Sequence, residues 1–190
     1  MLKKLLVIAL VVASLGVAGQ AVAQENHHEE ENSLLNSLNI YTGFTFIPKK
    51  HYVEAEGLDN TGNWVPAIGL DYFRKLSERW SVGFTGDVEL DQYSVRPENS
   101  TEAEEEVRRE NVMILGVVGK YEFLKGLSVF AGPGYEHAFA EEDENFFVIK
   151  TGLEYEIEFG DGWQITPSVT YDYKDVYQTI SYGFSVGKRF

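Results

Sequence analysis

The side chains best placed to do chemistry in this chain are carboxylates set two residues apart. Glu154, Glu156 and Glu158 alternate with Tyr155, Ile157 and Phe159, and Asp87 and Glu89 alternate with Val88 and Leu90. Asp71, Glu122, Glu136 and Asp172 fall on the same parity of comparable segments, together with the bases Lys120, Lys150 and Arg189. Acids at this density can form an acid–base pair, a ring that favours cations, or ion pairs that lock a structure. Which of these applies depends on whether they meet at a cleft, line a conduit or fill a closed space. Catalysis has the least support. The chain has no Cys, no G-x-S-x-G, no His-Glu-x-x-His and no P-loop. An esterase or acyltransferase centre would have to combine His51 or His137 with Ser94 or Ser100, and only composition favours that. No catalytic residue and no cofactor is therefore assigned. His27 and His28, followed by Glu29-Glu30-Glu31, are weak candidate ligands for a divalent transition metal. A short acidic stretch of this kind reads first as a solvated tail.

The elements that must position the carboxylates are strands. Period-two alternation runs through eight segments near 38–47, 64–75, 80–90, 111–123, 127–137, 146–159, 163–173 and 178–190. On the third, Trp80, Val82, Phe84, Val88 and Leu90 share one face, and Ser81, Gly83, Thr85, Asp87 and Glu89 share the other. Alternation alone does not tell inside from outside, because an apolar face serves a soluble barrel inwardly and a membrane barrel outwardly. Volume decides. One face carries Trp64, Tyr72, Trp80, Phe84, Tyr121, Phe123, Tyr155, Phe159, Trp163, Tyr171, Tyr182 and Phe184, and its opposite is rich in Gly, Ser and Thr. Eight strands enclose a space only just wide enough for side chains, so the rings are expected outside and the acids inside. The lumen charge network is then Asp71, Asp87, Lys120, Glu122, Lys150, Glu154, Glu156, Glu158, Asp172 and Arg189. Its expected role is a plug of salt bridges, with a narrow cation-preferring conduit as the alternative. Pro66, Pro133 and Pro167 fall inside strands, and Pro133, between two glycines, is expected to mark a bulge.

The links between segments alternate in length. Leu76–Arg79, Leu124–Gly126 and Gly160–Gly162 are short, whereas 48–63, 91–110, 138–145 and 174–177 are read as longer. Bacterial outer-membrane barrels have short turns on the periplasmic side and long loops outside. Aromatics fall beside both sets of links, as an interfacial girdle requires: Trp80, Tyr121, Phe123, Phe159 and Trp163 near the short turns, Trp64, Tyr171 and Tyr173 near the long ones. Residues 97–110 are dense in charge and read as a solvated loop. With Glu141-Glu142-Asp143-Glu144 they form an acidic rim able to hold divalent cations.

Residues 1–23 have Lys3 and Lys4, an apolar run and the ending Ala21-Val22-Ala23, the plan of a cleaved signal peptide. Residues 24–37 read as a flexible acidic segment and 38–190 as one barrel domain. The formal charge of −14 argues against nucleic acid as a partner. At the other end, Tyr182, Phe184, Val186 and Phe190 alternate with small or polar residues up to a terminal aromatic. This resembles the assembly signal of bacterial outer-membrane proteins, with Lys188 standing where that pattern usually has an apolar residue.

By strand count, loop alternation and termini, the chain from 38 to 190 is similar to the small eight-stranded outer-membrane proteins, the OmpA transmembrane domain, OmpX-like and OmpW-like barrels. The resemblance implies an all-β, eight-stranded, antiparallel up-and-down barrel in the outer membrane of a Gram-negative-type bacterium, monomeric, with both termini periplasmic. It implies outer-membrane lipid, lipopolysaccharide and the barrel-assembly machinery as partners, and an extracellular ligand held by loops 48–63 and 91–110. The expected role is structural, adhesive or for envelope integrity, with a narrow conduit and a lipid-modifying enzyme as alternatives.

Overall fold

The computed structural model describes residues 34–48, 52–53, 62–95, 107–139 and 145–190. The leader, His27 and His28, His51, Ser100 and the acidic run 141–144 lie outside the described residues. Twelve strands occur: β1 (Asn36–Ile47), β2 (Tyr52–Val53), β3 (Asn63–Lys75), β4 (Trp80–Glu89), β5 (Gln92–Val95), β6 (Val107–Glu110), β7 (Met113–Leu124), β8 (Leu127–His137), β9 (Asn145–Tyr155), β10 (Ile157–Phe159), β11 (Trp163–Lys174) and β12 (Gln178–Arg189). Strands β9 and β10 are one stave interrupted at Glu156, so the main sheet has eight staves. Each pairs antiparallel with its sequence neighbour, and β12 returns to β1 from Ser37↔Arg189 to Phe46↔Ile180. This closure leaves no free edge, the condition for a barrel.

Both ends of the barrel chain meet at the end that carries the short turns. Asn36 N donates to Phe190 O at 3.0 Å, and Phe190 N donates to Asn36 O at 2.8 Å. At the β7–β8 turn Gly126 has φ +77, and a Cβ there would lie 2.7 Å from Glu156 O. Gly126→Ala is therefore expected to destabilise the folded barrel by about 1–2 kcal/mol, the cost of a left-handed non-glycine residue. Urea titration of both proteins in detergent checks it.

The prolines do not disturb register. Across Pro133 the β7–β8 ladder keeps one register from Gly116↔Gly134 to Glu122↔Ser128, so the expected bulge is absent there. The irregularity lies between Glu122 and Leu124, where the chain tightens into the turn. The β7–β8 ladder does lapse locally opposite Pro133, between Gly116↔Gly134 and Gly119↔Ala131, and Pro167 has a similar local effect. The pairs Ser168↔Glu154 and Ile165↔Ile157 share a register, yet the ladder lapses between them, opposite the proline that has no N–H to give. On the other side Glu156 N stays in the β8–β9 register, donating to Gly126 O at 2.7 Å, so the break between β9 and β10 is confined to the side that faces Pro167.

The two faces separate as side-chain volume demands. The outward parity carries Ile40, 67% exposed, Phe84, 63%, and Trp64, Trp80, Tyr155, Phe159, Trp163, Tyr182 and Phe184, each exposed. The inward parity is polar or small: Tyr41 lies across the directly paired Gly43 and Gly183, where a Cβ on either would collide with its hydroxyl. The lumen is nonetheless less purely polar than alternation suggests. Phe73, Val118 and Phe130 form a buried cluster inside it.

Two expectations about the links need correction. The last one, Asp175–Tyr177, is as tight as a hairpin, with Lys174 N donating to Tyr177 O at 3.1 Å, so only three links are long. Residues 92–95 and 107–110 are not a solvated loop. They form β5 and β6, which with β2 make a second, three-stranded sheet at the loop end. Val95 and Arg109 are fully buried there, because both turn toward the barrel mouth and pack on its apolar lining.

Candidate functional site

From the turn end upward, the lumen is filled by successive ion pairs. Arg189 closes the bottom, its two terminal nitrogens reaching Glu156 and Glu158. Glu122 accepts from Gly126 N at 3.2 Å and so fastens the turn rather than a cation. Above it Lys120 Nζ donates to Glu154 Oε1 at 2.7 Å and lies 3.8 Å from the Phe73 ring centre. In the middle Lys150 Nζ donates to Asp87 Oδ2 at 2.9 Å and to Asp172 Oδ2 at 3.1 Å. Asp71 lines the space beside them. Of the residues assigned to the lumen network by parity, Asp87, Glu154, Glu156, Glu158 and Asp172 pair with Lys120, Lys150 and Arg189, while Asp71 and Glu122 are in none of these pairs. Neutral pairs complete it, with Gln164 Nε2 donating to Asn39 Oδ1 at 2.6 Å and Thr45 Oγ1 2.9 Å from Ser181 Oγ.

The spaces among the described residues include two small cavities of about 40 Å³ each. One is lined by Tyr41, Asp71, Asp87, Lys150 and Asp172, the other by Lys120, Glu122, Glu156 and Arg189. At roughly 10–15 Å³ per water, each holds a few waters.

The loop end holds what alternation did not reveal. Ile47, Val65, Val112, Ile114, Phe146 and Val148 line the mouth, and Tyr93 and Val95 of β5 with Tyr177 of the last link pack into it. At the centre stands Glu136, fully buried, with Arg109 Nη2 on Oε1, Tyr177 OH on the same oxygen at 2.7 Å, and Lys174 Nζ 2.7 Å from Oε2. Arg109 also sits 4.5 Å from the Phe146 ring centre, and Lys174 4.1 Å from that of Tyr177. Glu89, likewise buried, accepts from Tyr93 OH, which lies 3.3 Å from Tyr177 OH. Burial, and next the Glu136 carboxylate, keep the Tyr177 hydroxyl protonated far above the usual phenol range; burial and then Glu89 do the same for Tyr93. Both therefore stay donors at any ordinary pH. Lys174 could have been found by carrying the parity of Thr170 and Asp172 one step further. Arg109 had no such signal, since its stretch is charged on both parities.

Of the candidate catalytic combinations, only His137 with Ser94 lies within the described residues. His137 Nδ1 is 2.7 Å from Asn145 Oδ1 and its ring meets Phe139 at 4.9 Å, while Ser94 lies on β5 opposite Val53 and Arg108.

The aromatics cluster at two levels of the outer surface. Near the short turns Trp80 and Tyr121 meet at 4.8 Å, with Phe123, Phe159, Trp163 and Phe190 exposed at a similar height. Near the loop end Phe46 and Trp64 meet at 4.8 Å, Trp64 and Tyr182 at 6.0 Å, Tyr173 is exposed, and Tyr171 OH donates to Gln178 Oε1 at 2.5 Å.

No family model and no curated protein matches this chain. Solved structures do. Ail, the attachment invasion locus protein of Yersinia pestis, is 15% identical, with 83% of this chain and all of that chain covered, at a TM-score of 0.46. The N-terminal β-barrel domain of Pseudomonas aeruginosa OprF is 13% identical over 83% of this chain and all of that one, at 0.49. The outer membrane protein OprG from Pseudomonas aeruginosa is 12% identical over 83% and 97%, at 0.47. The chain's own ladders close the eight-stranded antiparallel barrel, and its likeness to these proteins is a likeness of architecture.

Proposed function

We propose that this chain is an integral barrel of a bacterial outer membrane, with a structural or adhesive role in the envelope and a lumen that does not conduct. One observation carries the reading: exposed apolar and aromatic side chains face outward from all eight staves, whose inward faces bury Lys120, Lys150, Glu154, Asp172 and Lys174. A soluble barrel would have the reverse arrangement, because water rewards charge outside and penalises exposed rings. Along β3 the stretch from Trp64 to Arg74 has the length that crosses the hydrocarbon when tilted. The short turns and both ends of the barrel then face the periplasm, and β2, β5 and β6 stand outside the cell as a base for the links 48–63 and 91–110, which are the surfaces proposed to hold an extracellular ligand or lipopolysaccharide.

The sealed mouth favours the structural role over the conduit. Ions would have to pass a dry apolar collar and then ion pairs that occupy the axis, against a steep desolvation cost. The protein refolded into liposomes should migrate differently on gels before and after boiling, and should give no steady current in a planar bilayer. Identical migration with no liposome fraction would overturn the membrane reading. A reproducible cation-selective current would overturn the closed lumen and favour the conduit. Deleting 98–106 should remove binding to lipopolysaccharide or host-cell surfaces while leaving the gel shift; unchanged binding would remove the adhesive role.

A further inference from the structure

The outward parity of the eight staves contains two charged side chains among the described residues, Arg74 and Lys188, and both are cations at the turn end. They are neighbours. Lys188 pairs with Leu38 of β1, Leu38 pairs with Tyr72 of β3, and Arg74 follows two residues on, opposite Asn36. Two strand spacings of about 4.8 Å separate their staves, within reach of two long side chains that converge on one group. Lys188 Nζ lies 5.6 Å from the ring centre of Trp163 on β11, the stave away from Arg74, so it must swing toward β1 to share a group with Arg74; Tyr72 OH donates to Asn36 Oδ1 at 2.8 Å between the two staves. Below them Leu38 and Ile40 form an exposed apolar bed. Placing a charge on a lipid-facing stave is costly at mid-bilayer and cheap at the interface. Two cations on the staves either side of β1, with every other described outward strand position free of Lys, Arg, Asp and Glu, therefore mark a level and a side of the barrel.

We propose that Arg74 and Lys188 together bind the phosphate of an anionic phospholipid in the leaflet at the turn end, with its acyl chains along Leu38 and Ile40. The proposal rests on the barrel spanning a bilayer. It also gives a reason for Lys188, the position at which the terminal strand departs from the usual assembly pattern: an ammonium there faces the headgroup layer beside an interfacial tryptophan, where an apolar side chain would gain little. The chemistry selects a phosphodiester carrying net negative charge and not a zwitterion, whose amine would meet the same two cations.

The test is native mass spectrometry of the barrel released from bilayers of mixed phosphatidylglycerol and phosphatidylcholine, with the unboiled gel shift confirming that each variant is folded. Wild type should retain phosphatidylglycerol about 25-fold over phosphatidylcholine, the product of about fivefold from each cation. Arg74→Gln and Lys188→Gln should each lower that preference about fivefold, the equivalent of about 1 kcal/mol per cation at an anionic surface, and the double variant should abolish it. Lys125→Gln, in the β7–β8 turn, should leave it unchanged. Equal retention of the two lipids by wild type, or an undiminished preference in the folded double variant, would overturn the site. Displacement of phosphatidylglycerol by millimolar inorganic phosphate would show a free-anion site and overturn the lipid assignment. A wild-type chain that never enters the bilayers would overturn the barrel reading first, and this one with it.

Discussion

Glu136→Gln is expected to cost about 3–5 kcal/mol of folding stability, the penalty for removing one member of a buried ion pair. The reason lies in what the carboxylate separates. Arg109 and Lys174 are both fully buried, and Glu136 takes one on each oxygen while accepting from Tyr177 OH. At the mouth two carboxylates, Glu89 and Glu136, balance these two cations. A neutral amide at 136 leaves two positive charges against one, in a collar of buried valine, isoleucine and aromatic side chains. Urea unfolding in detergent, followed by the fluorescence of Trp64, Trp80 and Trp163, should show a lower midpoint. The triple change Glu136→Met, Arg109→Met, Lys174→Met should recover most of the loss, because replacing a whole buried charge cluster with apolar groups is often neutral or stabilising. A single variant within about 1 kcal/mol of wild type would mean that water enters the mouth and screens the charges, which would also weaken the case for a sealed lumen.

Phe84→Arg carries the second large effect, about 2–4 kcal/mol if the ring faces the middle of a bilayer. Phe84 is 63% exposed near the centre of β4, and its staves on either side present Tyr72 and Val117 as cross-strand partners. An exposed phenylalanine on a soluble barrel would tolerate arginine or even gain from it. The sign of the change thus discriminates between lipid and water as the surrounding medium. The comparison needs refolding into liposomes, since a small detergent belt lets a long cationic side chain escape to water. Ser81→Arg is no substitute as a control, because its side chain points into the filled lumen. Leu76→Arg, in the β3–β4 turn beyond the girdle, should cost much less, and equal costs at 76 and 84 would remove the depth dependence on which the membrane reading stands.

The likeness between parity and lumen chemistry has limits that particular residues show. Lys120, Lys150, Asp87, Glu154 and Asp172 were legible because an alternating strand assigns each residue to a face, and a narrow barrel with bulky rings outside has only one way to use those faces. Phe73 and Phe130 sit on the charged parity, where alternation alone predicts polar side chains, and Lys120 Nζ rests over the Phe73 ring. Tyr177 was hidden in a link, where period two says nothing about direction. Arg109 and Tyr93 belonged to a charged stretch whose composition argued for solvent, and only the pairing of β5 with β6 turns them inward. Composition describes how much apolar surface a segment carries by itself; it does not describe apolar surface supplied by a neighbour.

What the order of residues determined alone is therefore the periodic part of this protein: the staves, the turns between them, the belt of rings and most of the charges within. These follow from local geometry, since a strand's two faces are set by each residue's place in it and a tight turn by its glycine. The stopper at the mouth, the pairing of Glu136 with cations from two separate segments, and the placement of Arg74 and Lys188 on the two staves that flank β1 were decided only when the barrel closed. Register between staves far apart in the chain brings those groups together, and no local spacing encodes that register.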